Sequence, residues 1–167
     1  MRKTMLIFLL FCLWSVVPGL AGEILRDVEI GPQRFEVVEL ACTAQEKAQG
    51  LQERTHLPDT AAMAFLSLPP RPQVFWMKNT RIPLDVVFLD VSGRILKIST
   101  MAVEKPRGLG ESESRYHARL KQYICLGEVF CALEIRGGLA EELGLKVGDV
   151  LPALSLEALG RHAVPGS

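Results

Sequence analysis

The chain lacks most of the signatures by which a sequence declares a reaction. It has no Cys-x-x-Cys pair, and its three histidines, His56, His117 and His162, are scattered, so a zinc site has no ligand set. There is no Gly-x-Ser-x-Gly elbow, no His-Glu-x-x-His and no phosphate-cradling glycine loop, which removes the common hydrolase, metalloprotease and nucleotide-binding readings. Charge of one sign is missing too: 19 basic and 19 acidic residues cancel. That balance gives no footprint for a nucleic acid, whose binding depends on clustered Lys and Arg displacing counterions. It also gives no basic amphipathic face for anionic lipid. No internal repeat occurs, and no strand-like run is followed by a long amphipathic helix, so a doubly wound parallel sheet is not expected. No cofactor or metal is expected.

One long apolar run is present, and it stands at the N-terminus. Met1-Arg2-Lys3 precedes an apolar core of about 13 residues, Met5 to Val17, followed by Pro18-Gly19-Leu20-Ala21. A short basic region, an apolar core and the small residues Gly19 and Ala21 describe a cleavable secretory signal over residues 1–21. The run is short for a membrane-crossing helix, which needs about 20 apolar residues. Cys12 follows the bulky Phe11 and makes no convincing acylation site. The protein is therefore expected to be exported, periplasmic or extracellular, with no stable membrane anchor after cleavage. Cleavage leaves 146 residues with 17 basic and 19 acidic side chains, enough for one domain with a real core.

Three cysteines would remain, Cys42, Cys125 and Cys131, an odd number. Cys125 and Cys131 can join only if Leu126 to Phe130 reverses the chain, because six residues of straight strand span about 20 Å. The alternative is that all three are small buried apolar residues.

Strand-like runs from Ile24 to Ile30 and from Arg34 to Ala41 flank Gly31-Pro32-Gln33, a hairpin turn. Thr43 and Glu46 have the spacing of a capping box and predict a short helix to about Leu51. Residues 52–73 are rich in proline, and Leu68 to Pro72 reads as an exposed connection or edge, since proline cannot donate to a ladder. Strands are expected at Val74 to Met77, at Val86 to Leu89 with both faces covered, and from Arg94 to Met101 after an Asp90-to-Gly93 turn. Residues 103–121 are charged and poor in apolar anchors, Leu109, Tyr116 and Leu120 excepted, and are expected to form a mobile loop with first tryptic sites at Lys105, Arg107 or Arg115. Strand character returns from Tyr123 to Ile135, a second helix runs from Gly138 to Leu143, and a last strand begins near Leu151. The sum is a mainly β fold, a compact antiparallel β-barrel or sandwich with two short helices, forming a single domain over residues 22–160 with a frayed tail at 161–167.

The stretch from Phe75 to Asp90 gathers apolar rings, an amide, a hydroxyl, an ammonium and carboxylates, the mixture of which apolar-walled pockets are made. Trp76 and Met77 must point to opposite faces of a strand. Trp76 is expected to be buried, with a ligand-stacking wall as the other reading. Asn79 and Thr80 are turn formers, and Asp85 is expected to accept hydrogen bonds from that turn or to sit at a pocket rim beside Lys78. Glu134, in an apolar strand, needs a partner if it points inward, and Lys78 is the nearest in character.

This central run, Trp76-Met77-Lys78-Asn79-Thr80 followed by Ile82-Pro83-Leu84-Asp85, resembles the signature of the domain of unknown function 192 family. Weaker pieces occur in order around it: Thr43 with Glu46 and Gly50-Leu51, Met63 to Phe65, Phe88 with Asp90 and Gly93, Tyr123, Leu133-Glu134 and Gly148-Asp149. The resemblance covers Val37 to about Leu151 and implies a compact, β-rich, often exported domain with no assigned activity or cofactor. Gln52, Ala64 and Cys131-Ala132 depart from the family pattern at packing positions. The stretch from Leu139 to Leu151 is also similar to the helix-turn-strand near the end of a PDZ domain, which reads as shared turn chemistry.

The functional expectation is a non-enzymatic ligand-binding or accessory module of the cell envelope, with Trp76, Lys78, Asn79, Thr80, Asp85 and Glu134 around a small polar or carbohydrate-like molecule, a glycan or a peptide. The alternative is a polysaccharide hydrolase or lyase using Asp85 and Glu134, which requires both carboxyl groups within about 10 Å across one cleft.

Overall fold

A computed structural model describes residues 22–163. The expected signal segment, 1–21, and the last four residues of the expected tail lie outside the described residues. The elements are β1 (Ile24–Ile30), β2 (Gln33–Ala41), α1 (Ala44–Gln49), β3 (Ala61–Phe75), β4 (Leu84–Leu89), β5 (Ile95–Met101), α2 (Glu113–Arg119), β6 (Tyr123–Arg136), α3 (Leu139–Glu142) and α4 (Leu156–Leu159), with short 3-10 turns at 152–154 and 160–162. The strands form one six-stranded sheet in the order β1-β2-β3-β6-β4-β5.

The fold is mainly β, as the strand-like runs predict, but the sheet is open. β1 and β5 are its two edges, and no pairing among the described residues closes it into a barrel. Nor is it purely antiparallel: β2 and β3 run parallel, from Val37 opposite Ala61 to Ala41 opposite Phe65. Residues 42–60 make the crossover that parallel strands require. The six-residue α1 suffices for it, so the lack of a long helix did not exclude one parallel pair. The capping box is as predicted, with Thr43 Oγ1 accepting from the Glu46 N–H and Glu46 Oε2 accepting from the Thr43 N–H at 2.8 Å.

β3 continues through Pro69, Pro70 and Pro72, where a connection was expected. Leu66 pairs with Cys131 and Arg71 with Val129, so residues 67–70 bulge out opposite Phe130, and the prolines occupy a place where the ladder is already interrupted. β4 is buried along its whole length, as expected for a strand covered on both faces. At the β4–β5 turn Asp90 Oδ1 accepts from the Ser92 and Arg94 N–H groups at 2.8 and 3.0 Å. Gly93 has φ of 78° and its position leaves 2.3 Å between an added Cβ and the Leu151 carbonyl oxygen, so a side chain there fails on both counts.

Alternate residues of the central strands feed two cores, one on each face. Val87, Leu89, Leu133 and Ile135 pack with Leu139, Leu154 and Leu159 on the face covered by α3 and the C-terminal segment. Val86, Phe88, Met63, Phe65 and Met77 pack with Leu51 and Leu57 on the other. The expected last strand contributes only an isolated bridge between Arg94 and Val150. Cys125 and Cys131 lie on one continuous strand, buried and unpaired among the described residues, so the small-apolar reading holds for these two, while Cys42 is a free thiol only half-buried. The tail is not frayed at 161–163: this turn buries Ala163, and His162 Nδ1 lies 2.5 Å from Glu23 Oε2.

Residues 103–121 are anchored where a mobile loop was expected. Ser112 Oγ accepts from the Arg115 N–H at 3.3 Å and starts α2, which buries Tyr116 at 1 % exposure and is followed by the buried Leu120. Two well-placed apolar side chains outweigh the charged composition of the rest. Leu109, the third candidate anchor, is fully exposed.

Candidate functional site

The end of α1 and the second half of β3 face each other across a cleft of about 130 Å³. Its lining includes Lys47, Gln49, Gly50, Gln52, Phe65, Gln73, Phe75, Trp76, Lys78, Thr80 and Glu134. Four of the six side chains singled out in the sequence, Trp76, Lys78, Thr80 and Glu134, thus meet in one place.

Glu134 is the unusual member. It is 5 % exposed, and no protein hydrogen bond reaches its carboxyl among the described residues. Burial pushes its pKa up to about 8, while the Arg54 guanidinium pulls the other way. Arg54 is itself committed to Glu39, gripping both carboxylate oxygens at 2.5 and 2.6 Å. At neutral pH Glu134 is therefore an uncharged acid.

Lys78 does not pair with Glu134 or Asp85. Its ammonium meets Glu113 of α2 at 2.5 Å, and Glu113 also contacts Arg107 and His117, at 3.1 and 3.2 Å. The Lys78 hydrogen bond, with the neighbouring charges, holds Glu113 below the usual carboxylate range. Lys47, also on the cleft, has its pKa lowered by burial and then by the Arg71 charge.

Asn79 does not line the cleft but ties its walls together. It sits in the left-handed region with φ of 51°, a conformation its short amide tolerates. Its N–H donates to Tyr116 Oη at 3.0 Å, and its Nδ2 donates to Gln52 Oε1 at 3.1 Å. The same residue thus joins the end of α1 to α2 and fixes Lys78 and Thr80 on either side of itself. Thr80 Oγ1 donates to the Lys78 carbonyl at 3.2 Å, the local turn bonding its residue type predicts.

Beside the Lys78 pairing, two further expectations are corrected. Trp76 is not buried: it is 46 % exposed, its ring 6.1 Å from that of His117, while Met77 takes the core position at 1 %. Asp85 does not join the Asn79–Thr80 turn or the cleft. It points to the opposite face, where Oδ2 accepts from the Ala140 N–H of α3 at 3.0 Å and Oδ1 is sealed with no partner among the described residues. The strand register fixes this, since Asp85 stands opposite Ile135 and Glu134 opposite Val86. Asp85 and Glu134 lie on opposite faces of the sheet, and a hydrolase that needs both in one cleft loses its geometry.

Sequence reasoning missed Lys47, Gln49, Gln52 and Tyr116. The capping box located α1, but nothing local shows that its end packs across β3. A larger, shallow hollow of about 490 Å³ lies among residues 105–119. It opens on exposed side chains: Glu111 and Arg119 pair with each other at 2.7 Å, and Lys105 and Arg115, solvated at its edge, make no ion pair among the described residues.

The model of the family DUF192, described as uncharacterized ACR, matches residues 27–153. A protein of unknown function from Novosphingobium aromaticivorans is 38 % identical with a TM-score of 0.57, over 71 % of this chain and 74 % of that one. A candidate transcription regulator from Sinorhizobium meliloti is 30 % identical with the same TM-score of 0.57, over 71 % of this chain and 81 % of its own. No curated protein matches the chain.

Proposed function

The chain belongs to the DUF192 family, which carries no assigned reaction, and on that footing we propose that it is an exported, non-enzymatic ligand-binding or accessory module of the cell envelope. Its ligand is a small polar or carbohydrate-like molecule held in the cleft between α1 and β3. One observation carries the reading: Glu134, 5 % exposed, makes no hydrogen bond among the described residues and opens on a cleft walled by Phe65, Phe75 and Trp76. Its oxygens are not sealed but reach the cleft, so a bound molecule that takes the place of cleft water hydrogen-bonds the acid directly. Trp76, half-exposed at the edge of the same cleft, offers a flat face for a ring.

Size narrows the ligand. A volume of about 130 Å³, about four waters at ~30 Å³ each, holds a carboxylate-sized group or one edge of a ring with the rest lying at the cleft mouth, and not a polymer or folded peptide. The balanced charge of the chain favours no nucleic-acid role. Export rests on the basic and apolar N-terminal run, and within the cell envelope such a module would meet free sugars and their derivatives.

Native mass spectrometry of the protein purified from its own host tests the reading. A retained small molecule is expected in the wild type and lost from Glu134→Ala and Trp76→Ala. A wild-type protein that carries nothing, and whose melting temperature no envelope extract raises, would contradict it.

A further inference from the structure

We infer that the cleft selects a small organic anion, a carboxylate on a hydroxylated frame, with Glu134 donating a hydrogen bond to it and Lys47 supplying the countercharge. The inference rests on the ligand-binding reading above and adds the chemical class.

The charges facing Glu134 can be taken element by element. From β2, Glu39 lies in register beyond Met63 and is already gripped by Arg54. From β4 and β5, the register neighbours Val86 and Ser99 carry no charge. From the segment after β3 comes Lys78, which is neutralised by Glu113. From α1 comes Lys47, which makes no ion pair among the described residues, and Arg71 adds a second positive charge near it. What is left over is one ammonium without a counterion and one buried carboxyl without a partner.

An uncharged carboxylic acid has one O–H to donate, and its pKa near 8 keeps it in that form at neutral pH. An anion answers both needs: it accepts from Glu134 and pairs with Lys47. A cation would meet the Lys47 charge on the cleft wall, and it would require Glu134 to ionise. Gln49, Gln52 and Gln73 leave amide groups along the lining for hydroxyls of the frame.

The test compares one ring with three charges. The indole N–H resonance of Trp76 is followed in the purified protein as D-glucuronate, glucose or glucosamine is added between pH 6 and 9. Glucuronate is expected to bind most tightly, with affinity falling about tenfold per pH unit above 8 as Glu134 loses its proton. Glu134→Gln, which keeps a neutral donor, is expected to retain binding and lose the pH dependence. Lys47→Met is expected to weaken glucuronate by about tenfold or more and glucose by clearly less. Tighter binding of glucose or glucosamine, or an affinity that rises with pH, would overturn the anion inference and leave the ligand site standing. No shift of Trp76 with any of the three sugars would overturn both.

Discussion

Asp85 and Glu134 were both visible in the sequence as acids in apolar strands, each needing a partner, and the fold gives them opposite answers. Asp85, 1 % exposed, spends one oxygen on the Ala140 N–H and so ties α3 to β4. Asp85→Ala removes this acceptor and leaves a buried donor unmet, at a cost of about 1 to 3 kcal/mol. A lower urea midpoint is expected, and an unchanged midpoint would refute the role. Glu134 has no such partner among the described residues, and its stability effect has a definite sign. Its pKa is raised from 4.5 to about 8 on folding, so the folded state holds the extra proton between those values. The stability is fully present below about pH 4.5, declines as pH rises through about 8, and is then level, a loss of up to a few kcal/mol. Unfolding measured across that window is expected to show the decline in the wild type and not in Glu134→Gln. A wild-type profile as flat as that of the variant would contradict the burial argument.

The elements differ in how far local sequence specifies them. α1 was legible because its Thr43–Glu46 capping box is complete within four residues. α2 was not, because the charges of residues 103–121 outweigh its apolar content, and its one informative signal is Tyr116 with Leu120 four residues later on the same side. What holds α2 is distant in sequence: Tyr116 Oη accepts from the Asn79 N–H, and Glu113 meets Lys78. Trypsin is therefore expected to cut first at the exposed Arg107, since Lys105 is followed by Pro106 and its bond resists the enzyme, while Arg115, inside α2, also resists. Tyr116→Ala is expected to release the helix and open Arg115 to cleavage. Early cutting at Arg115 in the wild type would show that α2 is not docked.

Across the whole molecule, the strands were readable and their arrangement was not. Alternation and turn residues mark β1, β2, β4 and β5, but no local pattern shows that β6 lies between β3 and β4 or that β2 and β3 run parallel, because those choices depend on contacts far apart in the chain. The same gap explains the candidate site. Trp76, Lys78 and Thr80 could be grouped because they are adjacent, and Glu134 was placed with them by its chemistry. Asp85 was wrongly placed there because the face of a strand residue follows from register, which the sequence leaves open. The register that separates Asp85 from Glu134 also turns Glu134 alone toward the cleft, and this arrangement underlies the account of binding. Its most direct test is the pH titration of the Glu134 side-chain carboxyl carbon by NMR in the ligand-free protein. A midpoint near 8 is the result expected of a buried, unpartnered acid facing the cleft. A midpoint near the ordinary 4.5 would mean that Glu134 is solvated or paired, and would contradict it.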